Sequence, residues 1–131
     1  MLLVKTRLGM SPIEGIGVFA EEFIAKGTPT WQFTPGLDQL LSREVIEGVP
    51  EQLKSALLRY SYLDKKTGLY IYCLDNARFV NHADAANTRG DYPADGNIFG
   101  RDIAIRDIKA GEEITCNYAE FDMEFRLKVT P

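Results

Sequence analysis

The sequence predicts a mainly β domain of small antiparallel sheets with one short helical insert, and two observations carry that expectation. Turn-forming residues recur at close intervals through the first third of the 131 residues, at Gly9, Ser11-Pro12, Gly15, Gly17, Lys26-Gly27, Pro29 and Pro35-Gly36, leaving room only for short strands. From Ser42 the pattern changes to helical spacing and, after Tyr60, changes back.

Leu2 to Arg7, Val18 to Ala20 and Thr28 to Phe33 each carry β-branched or aromatic residues and read as the first strands. In the insert, Ser42 is placed to cap a helix, Glu44 and Glu47 follow it, and Leu53, Leu57 and Leu58 repeat with helical period up to Tyr60. Gly48-Val49-Pro50 should divide the stretch into two helices, because a proline removes a donor and clashes with the preceding turn. The turn Lys65-Lys66-Thr67-Gly68 leads into a strand over Leu69 to Leu74. Residues 84–97, rich in Asp, Ala, Asn and Gly, are expected as a loop. Ile98 to Ile105 forms the next strand, with Ile103 and Ile105 sharing a face, and Glu113 to Tyr118 the last, ahead of a tail over 119–131.

A length of 131 residues fits a single domain, 1–131. Hydrophobic residues at 45% and charged residues at 26% are those of an ordinary globular protein, and no apolar run reaches the roughly 18 residues of a membrane span. Cys73 and Cys116 are far apart in sequence, so neither forms a CxxC pair or a zinc knuckle; no metal site is expected, and a reducing cytoplasm fits best. With 19 acidic against 15 basic residues, the chain lacks the electropositive footprint of a nucleic-acid binder and suits a basic partner. Its oligomeric state is not readable.

Two stretches carry possible chemistry. GIGVFA at 15–20 matches the G-x-G-x-x-A of a dinucleotide-binding turn, with Asp38 downstream. That fingerprint needs a long helix from the glycines, which Lys26-Gly27 and Pro29 forbid, so the pair reads instead as a tight turn or a ligand cradle. RFVNHADAANT at 78–88 sets Asn81 and the only histidine, His82, directly after Phe79 and Val80. An asparagine buried there without partners costs roughly 1–3 kcal/mol, so Asn81 must meet backbone, water or a ligand.

Taken with GEEITCNY near the C-terminus, these stretches resemble in order and spacing the SET-domain protein lysine methyltransferases; KGT after the first motif and RDI-KAGEE before the third strengthen the likeness. The zinc-binding segments that flank many members are absent, as in compact microbial or viral forms. The resemblance implies a β-clip-like fold with a helical insert over about 38–60 and a C-terminal pseudoknot that brings Asn81-His82 beside Tyr118. It implies a cofactor, S-adenosylmethionine, bordered by Gly15, Ile16 and Gly17, held by Asn81, met by His82 chiefly through its backbone, and closed over by Phe121 or another tail residue, with Arg78, on the cofactor side, and Asn87 supporting the loop. Tyr118 matches the catalytic tyrosine. Tyr62 and Phe33 match wall positions of the lysine channel less securely, and a core aromatic is the alternative for both and for Tyr60. Glu113 is expected either to make a structural hydrogen bond or to sit solvated at a strand edge. The implied substrate is a lysine of a basic protein.

The chain departs from the family pattern in ways that leave a catalytically silent binding module as the alternative. Ala83 stands where a serine is common and Ala86 where a proline is, so the loop loses a hydroxyl bond. Cys116 replaces a usual Tyr or Phe that helps set methyl number, and Asn117 replaces a common Asp.

Overall fold

In the computed structural model, which describes residues 1–129, strands of two to five residues alternate with glycine turns, and the strands group into three small sheets. The final two positions of the expected tail lie outside the described residues. Strands β1 (Thr6–Met10) and β2 (Ile16–Ala20) form a hairpin. This corrects the expected first strand: β1 begins four residues late, because the Met10–Ile16 pairing closes the turn at 11–15. Leu2 instead bridges to Trp31, and the Leu3 N–H donates to the Thr30 carbonyl, so the expected strand is divided between two neighbours, its first residues lying beside Thr30 and Trp31 and its last in the hairpin.

β3 (Pro29–Gln32) lies one sheet further on, and β4 (Gln39–Leu41) precedes the insert. Helices α1 (Arg43–Glu47) and α2 (Glu51–Tyr60) break at Gly48-Val49-Pro50 as expected, and the Ser42 hydroxyl accepts from the Val45 N–H. β5 (Ser61–Leu63) starts where α2 ends and pairs with β6 (Tyr70–Tyr72), which also pairs with β4. A 3-10 turn over Asn76–Phe79 delivers the chain to β7 (Asn81–His82).

The polar stretch 84–97 is not all loop, since it contains β8 (Thr88–Asp91), which pairs with β9 (Arg101–Ala104). Thr-Arg-Gly-Asp carries no apolar alternation, and the pairing is supported by side chains such as Arg101 Nε donating to Asp91 at 2.9 Å. β10 (Glu113–Cys116) ends earlier than expected because Asn117 caps a helical turn, α3 (Tyr118–Phe121), accepting from the Ala119 N–H at 3.0 Å.

β10 pairs antiparallel with β2 and parallel with β7, placing Thr115 opposite Asn81 and Cys116 opposite His82. That parallel pairing draws the first, second and third motifs into one sheet, as the expected pseudoknot requires. Three apolar clusters hold the sheets: Val18, Ile24, Ile108 and Ile114 under β2 and β10; Trp31, Phe33, Ile71 and Cys73 between β3 and β6; and Ile46, Leu63 and Tyr70 beneath the insert.

Candidate active site

Glu113, at the start of β10, is the hub where the three motifs meet. Ser11 Oγ lies 2.9 Å from both carboxylate oxygens, and Asn81 Nδ2 donates to Oε1 at 2.8 Å. The same Asn81 nitrogen reaches the carbonyls of Glu14 at 3.1 Å and Ile16 at 3.2 Å. Ser11 also accepts from the Ile13 N–H, so it shapes the turn that presents Gly15. Gly17 is required here, because a Cβ would stand 2.1 Å from Glu113 Oε1. Gly15, at φ +50°, has nothing within 4 Å of where its Cβ would be, so that side of the turn is open. Glu113 is thus a structural acceptor, not a solvated edge acid.

Below the hub, Asn87 is 2% exposed and bonded at both ends of its amide: Nδ2 donates to the Glu113 carbonyl at 2.8 Å, and Oδ1 accepts from the Thr115 N–H at 2.9 Å. Thr88 Oγ1 donates to the Thr115 carbonyl at 2.8 Å. These bonds anchor the loop in which Ala83 and Ala86 replace the usual serine and proline.

The His82 imidazole carries a structural role of its own. Nδ1 accepts from the Tyr118 N–H at 3.1 Å, which places the ring proton on Nε2, 3.3 Å from Asp84 Oδ1. Tyr118 is gripped at both ends, because its hydroxyl donates to the Val80 carbonyl at 2.5 Å. Its ring lies 5.3 Å from His82 and 6.0 Å from Phe121, centroid to centroid. Burial pushes the phenol well above its ordinary range, so the hydroxyl stays protonated and remains a donor.

Tyr118 faces a cavity of about 140 Å³. Tyr62 and Phe121, packed edge to face at 4.8 Å, form part of its wall, with Tyr60, Cys116 and Val80. Arg78 also lines it, but the guanidinium donates to the carbonyls of Leu74 at 2.6 Å and Asp75 at 3.2 Å, tying down the 3-10 turn. Phe33 does not line it; it is a core residue, buried against Phe99 at 4.4 Å. Burial holds the thiols of Cys73 and Cys116 well above their ordinary range, which leaves them unreactive as nucleophiles.

Sequence reasoning missed Ser11, Trp31, Asp102 and the Arg59–Glu14 ion pair, which links α2 to the turn before Gly15. Ser11 ahead of proline read only as part of a turn, and Asp102 carried no motif signal; only the tertiary pairing gives them a site. No group of three or more His, Cys, Asp or Glu side chains suited to a metal occurs among the described residues.

The junction fits the head group of an amino-acid-bearing cofactor. Two main-chain carbonyls and the Asn81 side chain converge beside the open face of Gly15. β7 is an edge strand, so the outer backbone edge of Asn81-His82 has no strand partner.

The SET-domain family model matches residues 15–119. Among solved structures, Chaetomium thermophilum Polycomb Repressive Complex 2, in an autoinhibited conformation bound to S-adenosylmethionine, is 27% identical with a TM-score of 0.67, over 95% of this chain and 16% of that one. A humanized mutant of the same complex bound to an inhibitor is 26% identical, with the same TM-score and coverage. This chain therefore spans about a sixth of the length of those Polycomb chains. A Plasmodium falciparum protein, provisionally titled a histone methyltransferase, shares the fold at 22% identity and a TM-score of 0.59, over 89% of this chain and 95% of that one. No curated protein matches. With the family model covering most of its length and all three motifs meeting at Glu113, the chain belongs to the SET-domain family.

Proposed function

We propose that this chain, acting as a single domain, transfers a methyl group from S-adenosylmethionine to the side-chain amine of a lysine in a basic protein. The observation that carries the reading is the placement of Tyr118, fixed by Val80 and His82 at the wall of an aromatic cavity, immediately beside the Asn81–Glu113 junction. The likeness to a structure bound to S-adenosylmethionine supports the cofactor assignment.

When bound, S-adenosylmethionine supplies an electrophilic methyl group on a cationic sulfur. Asn81 and the carbonyls of Glu14 and Ile16 would hold the amino-acid portion; the turn at Gly15 to Gly17 would border it, and the outer edge of His82 would meet the remainder. Phe121 and Arg78 support that reading indirectly, Phe121 by packing between Tyr62 and Tyr118 and Arg78 by fixing the turn ahead of Asn81. Tyr118, protonated and donating to Val80, keeps its oxygen lone pairs free to accept from an N–H of the incoming amine, so its contribution is alignment. Tyr62 and Phe121 desolvate that amine, lowering its pKa from the free value of about 10.4 so that a neutral nucleophile forms.

Two further assignments follow from composition. The net charge of −4 favours encounter with Lys-rich proteins, and a cytoplasmic setting is consistent with two unpaired thiols and with the absence of any described helix long and apolar enough to cross a membrane. The test is transfer of radiolabel from S-adenosylmethionine to a lysine-containing basic peptide. Label is expected on that peptide and not on the same peptide with arginine in place of each lysine. Equal labelling of both, or of neither at high enzyme concentration, would overturn the reading in favour of another acceptor or of a silent binding module.

A further inference from the structure

One end of the cavity holds two polar groups that the fold leaves unmatched. Trp31 and Asp102 are direct cross-strand partners in the β3–β9 ladder, and both line the cavity with Tyr62, Phe99 and Cys116. Trp31 is 6% exposed, and its indole N–H has no hydrogen-bond partner among the described residues. Nothing among those residues donates to the Asp102 carboxylate either; desolvation, with the negative charge of Glu120 adding to it and the N-terminal ammonium opposing it, pushes the group from 3.8 to about 7. The other charged groups around the cavity are engaged. Arg59 pairs with Glu14, Arg101 with Asp91, and Lys128 with Asp122, while Glu120 is exposed to solvent.

Asp102 is partly buried, and a carboxylate drawn out of water without a donor is costly, a cost that falls when a cation enters beside it. An aromatic and apolar wall adds attraction for an ammonium head and for the methylene chain behind it. We propose that Asp102 is the counter-ion of a subsite for the ammonium head of an alkylamine, and so captures the substrate lysine in its charged form. The identification of that amine as lysine rests on the methyltransferase reading; the cation subsite itself does not. Pairing with Asp102 favours the charged amine, so the residue contributes to capture and selectivity, not to the deprotonation that must precede transfer. Trp31 is the chain's only tryptophan, and its fluorescence therefore reports on this end of the cavity.

The experiment is a fluorescence titration of the cofactor-free chain with n-butylammonium chloride, with n-butanol as the neutral probe of similar shape and sodium chloride as the ionic-strength control. A saturable change with the amine and a much weaker one with the alcohol are expected. Asp102→Asn, checked for native circular dichroism, should weaken amine binding by about tenfold or more and leave the alcohol response unchanged. Should that variant fail to fold, the wild-type preference for amine over alcohol still decides the matter. Equal responses to both probes, no saturable response to the amine, or undiminished amine binding by Asp102→Asn would overturn the proposal. Neither cofactor nor turnover enters this measurement. A chain that binds the amine but labels no lysine therefore sinks the methyltransferase reading alone, and one that labels lysine with no preference for the amine sinks this proposal alone.

Discussion

The junction at Glu113 and the cavity end at Asp102 use similar residues to opposite ends. Glu113 accepts from Ser11 and Asn81, and beneath it Asn87 and Thr115 satisfy one another, so the acid at the start of β10 serves as a fastener. Asp102, in a strand of another sheet, sits opposite Trp31, whose indole N–H has no partner, and its carboxylate meets no donor among the described residues. The difference teaches that a polar group saturated by its own chain holds the fold, whereas one left unmatched in a cavity is available to a ligand. Both are acids in short strands; only their partners separate them.

The largest effect is expected from breaking the saturated side. Asn87→Ala strands the Glu113 carbonyl and the Thr115 N–H in the interior and should cost roughly 2–4 kcal/mol, read from the urea midpoint. A change below the error of the fit would mean that the hub is not a fastener.

On the unsaturated side the sign reverses. A carboxyl raised from 3.8 to about 7 prefers to be protonated in the folded state. The stability this lends is complete below 3.8 and is lost as pH rises through about 7, at about 1.4 kcal/mol for each unit of the raise. Asp102→Asn should flatten that decline, so the variant melts above wild type at pH 8 and near it at pH 4. A variant less stable at pH 8 would show that Asp102 has a hidden partner and belongs with Glu113.

Gly17→Ala tests how tightly the hub is packed. Its Cβ would displace the Glu113 carboxylate, and overpacking of this kind costs about 1–3 kcal/mol, measured by thermal denaturation, with weaker binding of S-adenosylmethionine in the same variant. The smallest effect is expected for Arg59→Ala. The Arg59–Glu14 pair is half exposed, and its loss should change stability by less than about 1 kcal/mol.

Much of this arrangement was legible in the sequence because the responsible signals are local. The helix break at Pro50, the turn at Gly15 and the cap at Ser42 each follow from one residue's backbone chemistry, and the motifs marked Tyr118, Asn81 and Glu113 for attention. What was not legible depends on pairing. β8 is a strand because β9 lies beside it, β1 starts at Thr6 because the hairpin turn sets its register, and the role of the His82 ring follows from the parallel contact with β10. Asp102 was hidden for the same reason, since only its position opposite Trp31 places it at the cavity.

The measurement that bears most directly on the account separates cofactor binding from transfer in Tyr118→Phe. Removing one hydroxyl, which bonds Val80 and not Asn81 or Glu113, should leave the calorimetric affinity for S-adenosylmethionine within about twofold of wild type and lower the rate of lysine labelling by about a hundredfold or more. Unchanged labelling would contradict the assignment of Tyr118 as the residue that aligns the amine.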